Sequence, residues 1–254
     1  MTIPNMGMDL HVTKARLVEE GVLLLEINDL QNKNSFSREM ESDLAACLAY
    51  VNKSSSIKVV VITGYGPYFL TGGSREELLE LNEGRMVFTD INVYRFSLDC
   101  AVPVIAAMQG HAIGGGLVLG LFCDVIFMSN ESVYTFNFMK YGFTPGMGAT
   151  LIAPYRLGNA LASEMLFSAA RYRGVELKSR GVPFAVISRK DLLNEAVSLA
   201  KKMSSMPRKS LCLLKAHLNK ELIAKLDYYI QEELKMHGMT IREGYVRDQI
   251  ISNF

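Results

Sequence analysis

Metal-ligand spacing, a charge surplus and a membrane-length apolar run are all missing from this sequence. The four histidines (His11, His111, His217 and His237) and the four cysteines stand far apart, so no metal site is expected. Cys47, Cys100, Cys123 and Cys212 include no C-x-x-C pair and read as buried, reduced thiols of a cytosolic protein. Against 26 acidic residues there are 27 Lys and Arg, a formal net charge of +1, and the basic residues are dispersed apart from short pairs such as Lys201-Lys202 and Arg208-Lys209. That balance excludes a nucleic-acid footprint and an acidic tail. No apolar run reaches roughly 18 residues, so no membrane span is expected. Met1 to Leu10 is polar and lacks an apolar core segment, so no signal peptide is expected either. These absences point to a soluble, cytoplasmic protein with neither nucleic acid nor membrane as a partner.

What is present is a 49% hydrophobic chain of 254 residues, ample for one packed core. His11 to Glu19 and Val22 to Ile27 are β-rich runs around Glu20-Gly21. Ser37 is placed to cap a helix running to about Val51, with Met40, Leu44, Cys47 and Leu48 as its buried stripe. Ile57 to Thr63, Pro103 to Met108 and Asp124 to Met128 read as strands, and Val133 to Phe136 as a short one. Residues 75–101 are helical in pattern but broken near Gly84, which predicts a mobile segment over about 78–88. From Leu151 the chain is mostly helical, with a short strand near Phe184 to Ile187. Strands alternating with helices and then a run of helices predict an α/β fold. The division is a core domain over residues 1–195 and a C-terminal helical region over 196–254, with a soft boundary near 190–200.

Two glycine-rich turns stand out. Thr71-Gly72-Gly73-Ser74 follows one strand pattern, and Gly114-Gly115-Gly116 lies between an apolar strand and an apolar helix. Free N–H groups at a helix start favour negative charge, and glycine lets a ligand approach the main chain closely. Parallel strands place both turns on one sheet edge, where two N–H groups can meet a developing oxyanion. On spacing alone, close-packing glycines explain the pattern equally well.

The runs Tyr68-Phe69-Leu70-Thr71-Gly72-Gly73, Pro103 to Gly116, Cys123-Asp124 and Thr144-Pro145-Gly146-Met147-Gly148-Ala149-Thr150, in that order, closely resemble the crotonase (enoyl-CoA hydratase/isomerase) superfamily over residues 12–252. The resemblance implies a β-β-α spiral core and a C-terminal helical region that builds homotrimers or dimers of trimers. It also implies an acyl thioester whose carbonyl is held by the backbone N–H groups of Gly73 and Gly115, with Gly72 and Gly114 beside the substrate. Hydratases of the family hold water between two glutamates. Val118 and Phe138 occupy those two positions here, and neither activates water or moves a proton. The implied pocket is dry and suited to losing charge rather than adding water.

Within the superfamily the sequence is similar to the polyketide β-branching subgroup. The similarity rests on Ser97-Leu98-Asp99-Cys100, Glu131-Ser132-Val133-Tyr134, Asn137 to Thr150, Tyr172-Arg173-Gly174, Gly181-Val182-Pro183-Phe184 and Met236-His237. That subgroup decarboxylates a 3-methylglutaconyl group on an acyl carrier protein. The resemblance therefore implies a carrier-protein partner and a substrate borne on its phosphopantetheine, with no redox cofactor or metal. Basic residues at the entrance are expected to meet the acidic carrier.

His237 ends a helical pattern read as Ile223, Leu226, Ile230, Leu234, His237 and Ile241. By itself this is a packed or capping histidine; the subgroup places a catalytic histidine here. The expected role is to orient the substrate carboxylate or to handle a proton, because imidazole titrates near neutrality. The subgroup carries a lysine just before Phe88-Thr89-Asp90, at the position aligned with Val87, and Arg85 two residues away is too weak an acid to replace it. Without that lysine, protonation at the α-carbon and a β,γ-alkene are expected, and NMR of the product distinguishes that from a conjugated thioester. Lys140 and Tyr141 are placed near the pocket, and His111 is expected to bond backbone. The competing readings are an enoyl-CoA double-bond isomerase using Glu77 or Glu80, and a non-catalytic acyl-thioester-binding member.

Overall fold

The computed structural model describes residues 8–253, so most of the lead-in expected over residues 1–10 lies outside the described residues. Strands β1 (Thr13–Glu19) and β2 (Val22–Ile27) pair antiparallel across Glu20-Gly21, as the spacing predicts. Ser37 Oγ accepts the Met40 N–H and caps α1 (Arg38–Lys53). Met40, Leu44 and Cys47 are buried as expected, Leu48 is only half-buried, and Asp43 and Val51 complete the stripe. Asp43 is tolerated there because its carboxylate accepts the N–H groups of His11, Val12 and Thr13.

The chain then repeats one unit. Strand β3 (Val59–Gly64) is followed by short strand β4 (Tyr68–Leu70) and, past a glycine turn, by α2 (Arg75–Asn82). Two 3-10 turns and α3 (Phe96–Asp99) lead into β5 (Val104–Met108), β6 (His111–Ile113) and α4 (Gly115–Phe122). The third unit is β7 (Val125–Ser129), β8 (Val133–Thr135) and α5 (Ala149–Leu157). The main sheet has the order β1-β2-β3-β5-β7, extended later by a sixth strand, and is parallel from β2 onward. The second sheet stacks β4, β6 and β8 in parallel. This is the β-β-α spiral that the sequence motifs imply.

The remaining elements are α6 (Asn159–Ser168), β9 (Tyr172–Arg173), α7 (Gly174–Ser179), β10 (Ala185–Ile187), α8 (Arg189–Ser204), α9 (Arg208–Thr240) and α10 (Gly244–Asn253). Every residue of β3 and β5 is buried, because both faces of the main sheet are covered. Val59, Val61, Ile105 and Ala107 pack against Leu192, Ala196 and Ala200 of α8, while Val60, Ile62, Val104 and Ala106 face the larger core. The 195/196 division read from the sequence falls inside α8, which the sheet holds along its length. Among the described residues, no helix is long and apolar enough to cross a membrane.

Helix α9 corrects the apolar face read from the sequence. Ile223 is exposed and Leu234 half-buried; the buried stripe is Lys215, Asn219, Leu222, Leu226, Ile230, Glu233 and His237. Most of its polar members are paired. Lys215 Nζ donates to the Ser97 and Val102 carbonyls at 2.6 and 2.9 Å and pairs with Asp124 at 2.8 Å. Asn219 donates to the same Asp124 carboxylate. Glu233 accepts the N–H groups of Gly148 and Thr150 and the Thr150 hydroxyl at 2.7, 2.8 and 2.6 Å, which ties α9 to the start of α5. Glu233→Ala strands these buried donors at about 1–3 kcal/mol each. A net loss of about 3 kcal/mol is expected from urea unfolding. Glu233→Gln, which keeps an acceptor oxygen, should recover part of it, and an alanine variant as stable as wild type would refute the role. His237 is the exception in the stripe: among the described residues its ring has no hydrogen-bond partner.

Candidate active site

The two glycine turns leave the same edge of the second sheet. Tyr68 pairs with His111 and Leu70 with Ala112, so β4 and β6 run parallel and end together. The turns therefore follow short strands of the second sheet rather than β3 and β5 directly, as the sequence reading had it. Gly72 has φ +75°, and a Cβ built on it stands 2.9 Å from Gly115 N and 3.1 Å from the Ile113 carbonyl oxygen. The turns are thus in contact, and only glycine fits between them. Gly115 opens α4, where an N–H has no intrahelical acceptor. Among the described residues, neither the Gly73 nor the Gly115 N–H donates to a partner. Such a pair can receive an oxygen that gains charge.

Gly72, Gly73, Gly114 and Gly115 line one cavity of about 520 Å³ together with Phe138 and His237. Phe36, Leu78, Leu81, Met86, Phe88, Phe143 and Met147 make most of the remaining wall apolar. Val118 is not part of it. It is completely buried in α4, and Phe36 and Met147 stand against Gly115 instead. Of the two positions where hydratases carry glutamate, one is therefore an aromatic wall and the other is sealed in the core. Val87 is also off the wall: it is 43% exposed, and its neighbours Met86 and Phe88 point inward in its place. Arg85 pairs with Glu83 at the surface. Val87 itself therefore offers no group to the cavity wall.

The His237 ring is 6% exposed and meets the edges or faces of Phe88 and Phe143 at centroid distances of 5.4 and 5.3 Å. Burial among these rings lowers its pKa to about 4. The imidazole is consequently neutral at pH 7, which corrects the expectation that it titrates near neutrality. A neutral ring still offers one N–H donor and one acceptor.

Glu77 also lines the cavity, whereas Glu80 does not. Glu77 Oε2 accepts the Ser74 N–H at 2.8 Å while Ser74 Oγ accepts the Glu77 N–H at 3.1 Å, a capping box at the start of α2. Burial pushes the Glu77 carboxyl up to about 7, with Glu80 and Glu76 acting in the same direction and the Ser74 N–H opposing them. Lys33, Arg75, Lys140 and Arg171 lie on the wall, as does Tyr141. His111 Nδ1 accepts the Val133 N–H at 2.9 Å, the backbone bond expected of it. The Cys47 and Cys123 thiols are buried, and burial pushes both up to about 12.

The profile of the enoyl-CoA hydratase/isomerase family matches residues 18–252. The chain belongs to that family. It is 48% identical to the bacillaene synthase decarboxylase PksI of Bacillus subtilis, over 92% of this chain and 94% of that protein. A chain from the structure of a dehydratase/decarboxylase enzyme couple involved in polyketide β-branching superposes with a TM-score of 0.94 at 46% identity, covering 96% of each chain. The ECH2 decarboxylase domain of CurF from Lyngbya majuscula superposes with a TM-score of 0.92 at 41% identity, covering 96% of this chain and 99% of that one. Similarity to the 1,2-epoxyphenylacetyl-CoA isomerase of Escherichia coli is lower, at 26% identity over 92% of each protein. The chain is thus more similar to these decarboxylases than to that isomerase.

Proposed function

We propose that this protein decarboxylates a 3-methylglutaconyl-type thioester carried on an acyl carrier protein, in polyketide β-branching. The observation that carries the reading is the pair of N–H groups, Gly73 and Gly115, that have no partner among the described residues and lie on the wall of a largely apolar cavity that His237 completes. The thioester oxygen sits between these two donors. Breaking the bond to the γ-carboxylate releases neutral carbon dioxide and leaves a dienolate, whose charge reaches that oxygen. One preorganised donor at such a position is worth about 2.7–4 kcal/mol, so two account for a large share of the barrier reduction. The apolar wall favours the step that removes charge, since a carboxylate is poorly solvated there and carbon dioxide is not.

Lys33, Arg75, Lys140 and Arg171 supply positive charge to the cavity wall, suited to a phosphopantetheine phosphate and an acidic carrier surface. Exposed Leu213, Leu214 and Leu218 on α9 and Phe167 on α6 support assembly of three chains through this region. The reaction as written uses no metal or redox cofactor. The test is carbon dioxide release from a 3-methylglutaconyl-carrier thioester. One equivalent of gas per turnover is expected. Double-bond migration without gas makes the protein an isomerase, and binding without turnover makes it a non-catalytic member.

A further inference from the structure

Decarboxylation leaves a carbanion equivalent that must gain a proton, and that requires an acid on the wall of this largely apolar cavity. We propose that Glu77 is this proton donor, an assignment that rests on the decarboxylase reading above. Its position supports it first. A methyl group built on Gly73 stands 3.5 Å from Glu77 Oε2, so the carboxyl lies against the turn whose N–H faces the thioester oxygen. The dienolate carbons conjugated to that oxygen are then within reach of α2. The capping box fixes the side chain through Oε2 and leaves Oε1 without a hydrogen-bond partner among the described residues.

His237 and Tyr141, which share the wall, are poorer acids. His237 carries no extra proton at pH 7, because burial holds it near 4. The Tyr141 phenol is raised by burial and is weaker than an ordinary tyrosine. Glu77, by contrast, is pushed up to about 7, where a large fraction is protonated and transfer is still favourable. On its own helix Arg75, Glu76 and Glu80 are the charged neighbours, and Glu80 and Glu76 disfavour its ionisation. From the other elements Lys33, Lys140 and His237 share the cavity wall, and α10, which packs on α2, brings Arg247 and Asp248. Arg247 is engaged by Glu83.

The step balances simply. The electron pair of the broken C–CO₂ bond enters the dienolate. The Glu77 O–H bond then breaks, its pair stays on the carboxylate, and the proton forms a new C–H bond on the carbon facing α2. One solvent proton restores the carboxyl, so each turnover consumes one proton and releases one carbon dioxide.

The decisive variant is Glu77→Gln, because glutamine keeps the capping-box acceptor while losing the acidic proton. Product formation is expected to fall about 100-fold or more with the melting temperature unchanged. In wild type, kcat should decline as pH rises through about 7, since the protonated form is the active one, and that decline should be absent from the variant. In D₂O the wild type should place its deuterium on one carbon of the product, whereas the variant, quenched by solvent, should distribute it. Ser74→Ala breaks the other half of the capping box and keeps the carboxyl; it should retain most activity. Equal losses in both variants, or a glutamine variant within about threefold of wild type with the same pH profile, would overturn the proposal. A wild type that releases no carbon dioxide would overturn the decarboxylase reading itself.

Discussion

Replacing His237 with alanine is expected to lower carbon dioxide release by about 10²–10⁴-fold while leaving thioester binding largely intact. The ring is the buried polar member of the α9 stripe that has no partner among the described residues, and it faces the cavity. On the proposed reading, an N–H held there would orient the substrate carboxylate so that the breaking bond overlaps the π system, the kind of alignment that proximity effects reward. Its neutrality matters. A cationic imidazolium would stabilise the ground-state carboxylate and oppose its departure, whereas a neutral donor positions it with less of that penalty. The ring gains a proton only near pH 4, so no His237-linked change in rate is expected between pH 5 and 8 in the free enzyme. His237→Phe separates chemistry from packing. Phenylalanine refills the space beside Phe88 and Phe143 but has no ring nitrogen, so it should be stable and as inactive as alanine. A phenylalanine variant retaining a tenth or more of wild-type activity would remove His237 from the mechanism.

The parts of the fold and site carried by local pattern were legible in the sequence. Ser37 as a cap, the continuous burial of β3 and the glycine turns each follow from residue type and spacing alone. The two-sheet spiral was not readable from period: β4, β6 and β8 are three residues long, too short for alternation to register. Family motifs supplied that part. The α9 face was misread because hydropathy favours Ile223 and Leu234, while the core takes Lys215, Asn219 and Glu233 through long-range bonds to Ser97, Asp124 and Gly148. Val118 and Val87 lie off the cavity wall for a related reason. Alignment gives a residue its position but not the direction of its side chain, and here Phe36 and Met147 close one approach while Met86 and Phe88 flank the other. The sequence offered Glu77 and Glu80 alike as bases for an isomerase, because the signal that separates them, burial beside Gly73, exists only in three dimensions.

Gly72→Ala and Gly73→Ala, one residue apart, are expected to differ by about 10²-fold or more in kcat. At Gly72 the left-handed backbone (φ +75°) strains any L side chain, and the added methyl would stand 2.9 Å from Gly115 N. One of the two turns must then move, and the donor that moves no longer meets the thioester oxygen. Removing one such donor costs about 10²–10³ in kcat. At Gly73 the nearest atoms to an added methyl are Leu78 Cδ2 at 3.4 Å and Glu77 Oε2 at 3.5 Å, ordinary contact distances, and the N–H itself is retained. That variant should fold normally and stay within about tenfold of wild type. Since both substitutions add the same single carbon to the same turn, unequal damage isolates the main-chain donors from the loss of glycine as such. If the Gly73 variant proved as impaired as the Gly72 variant, space at the turn rather than the aim of its N–H groups would govern the rate.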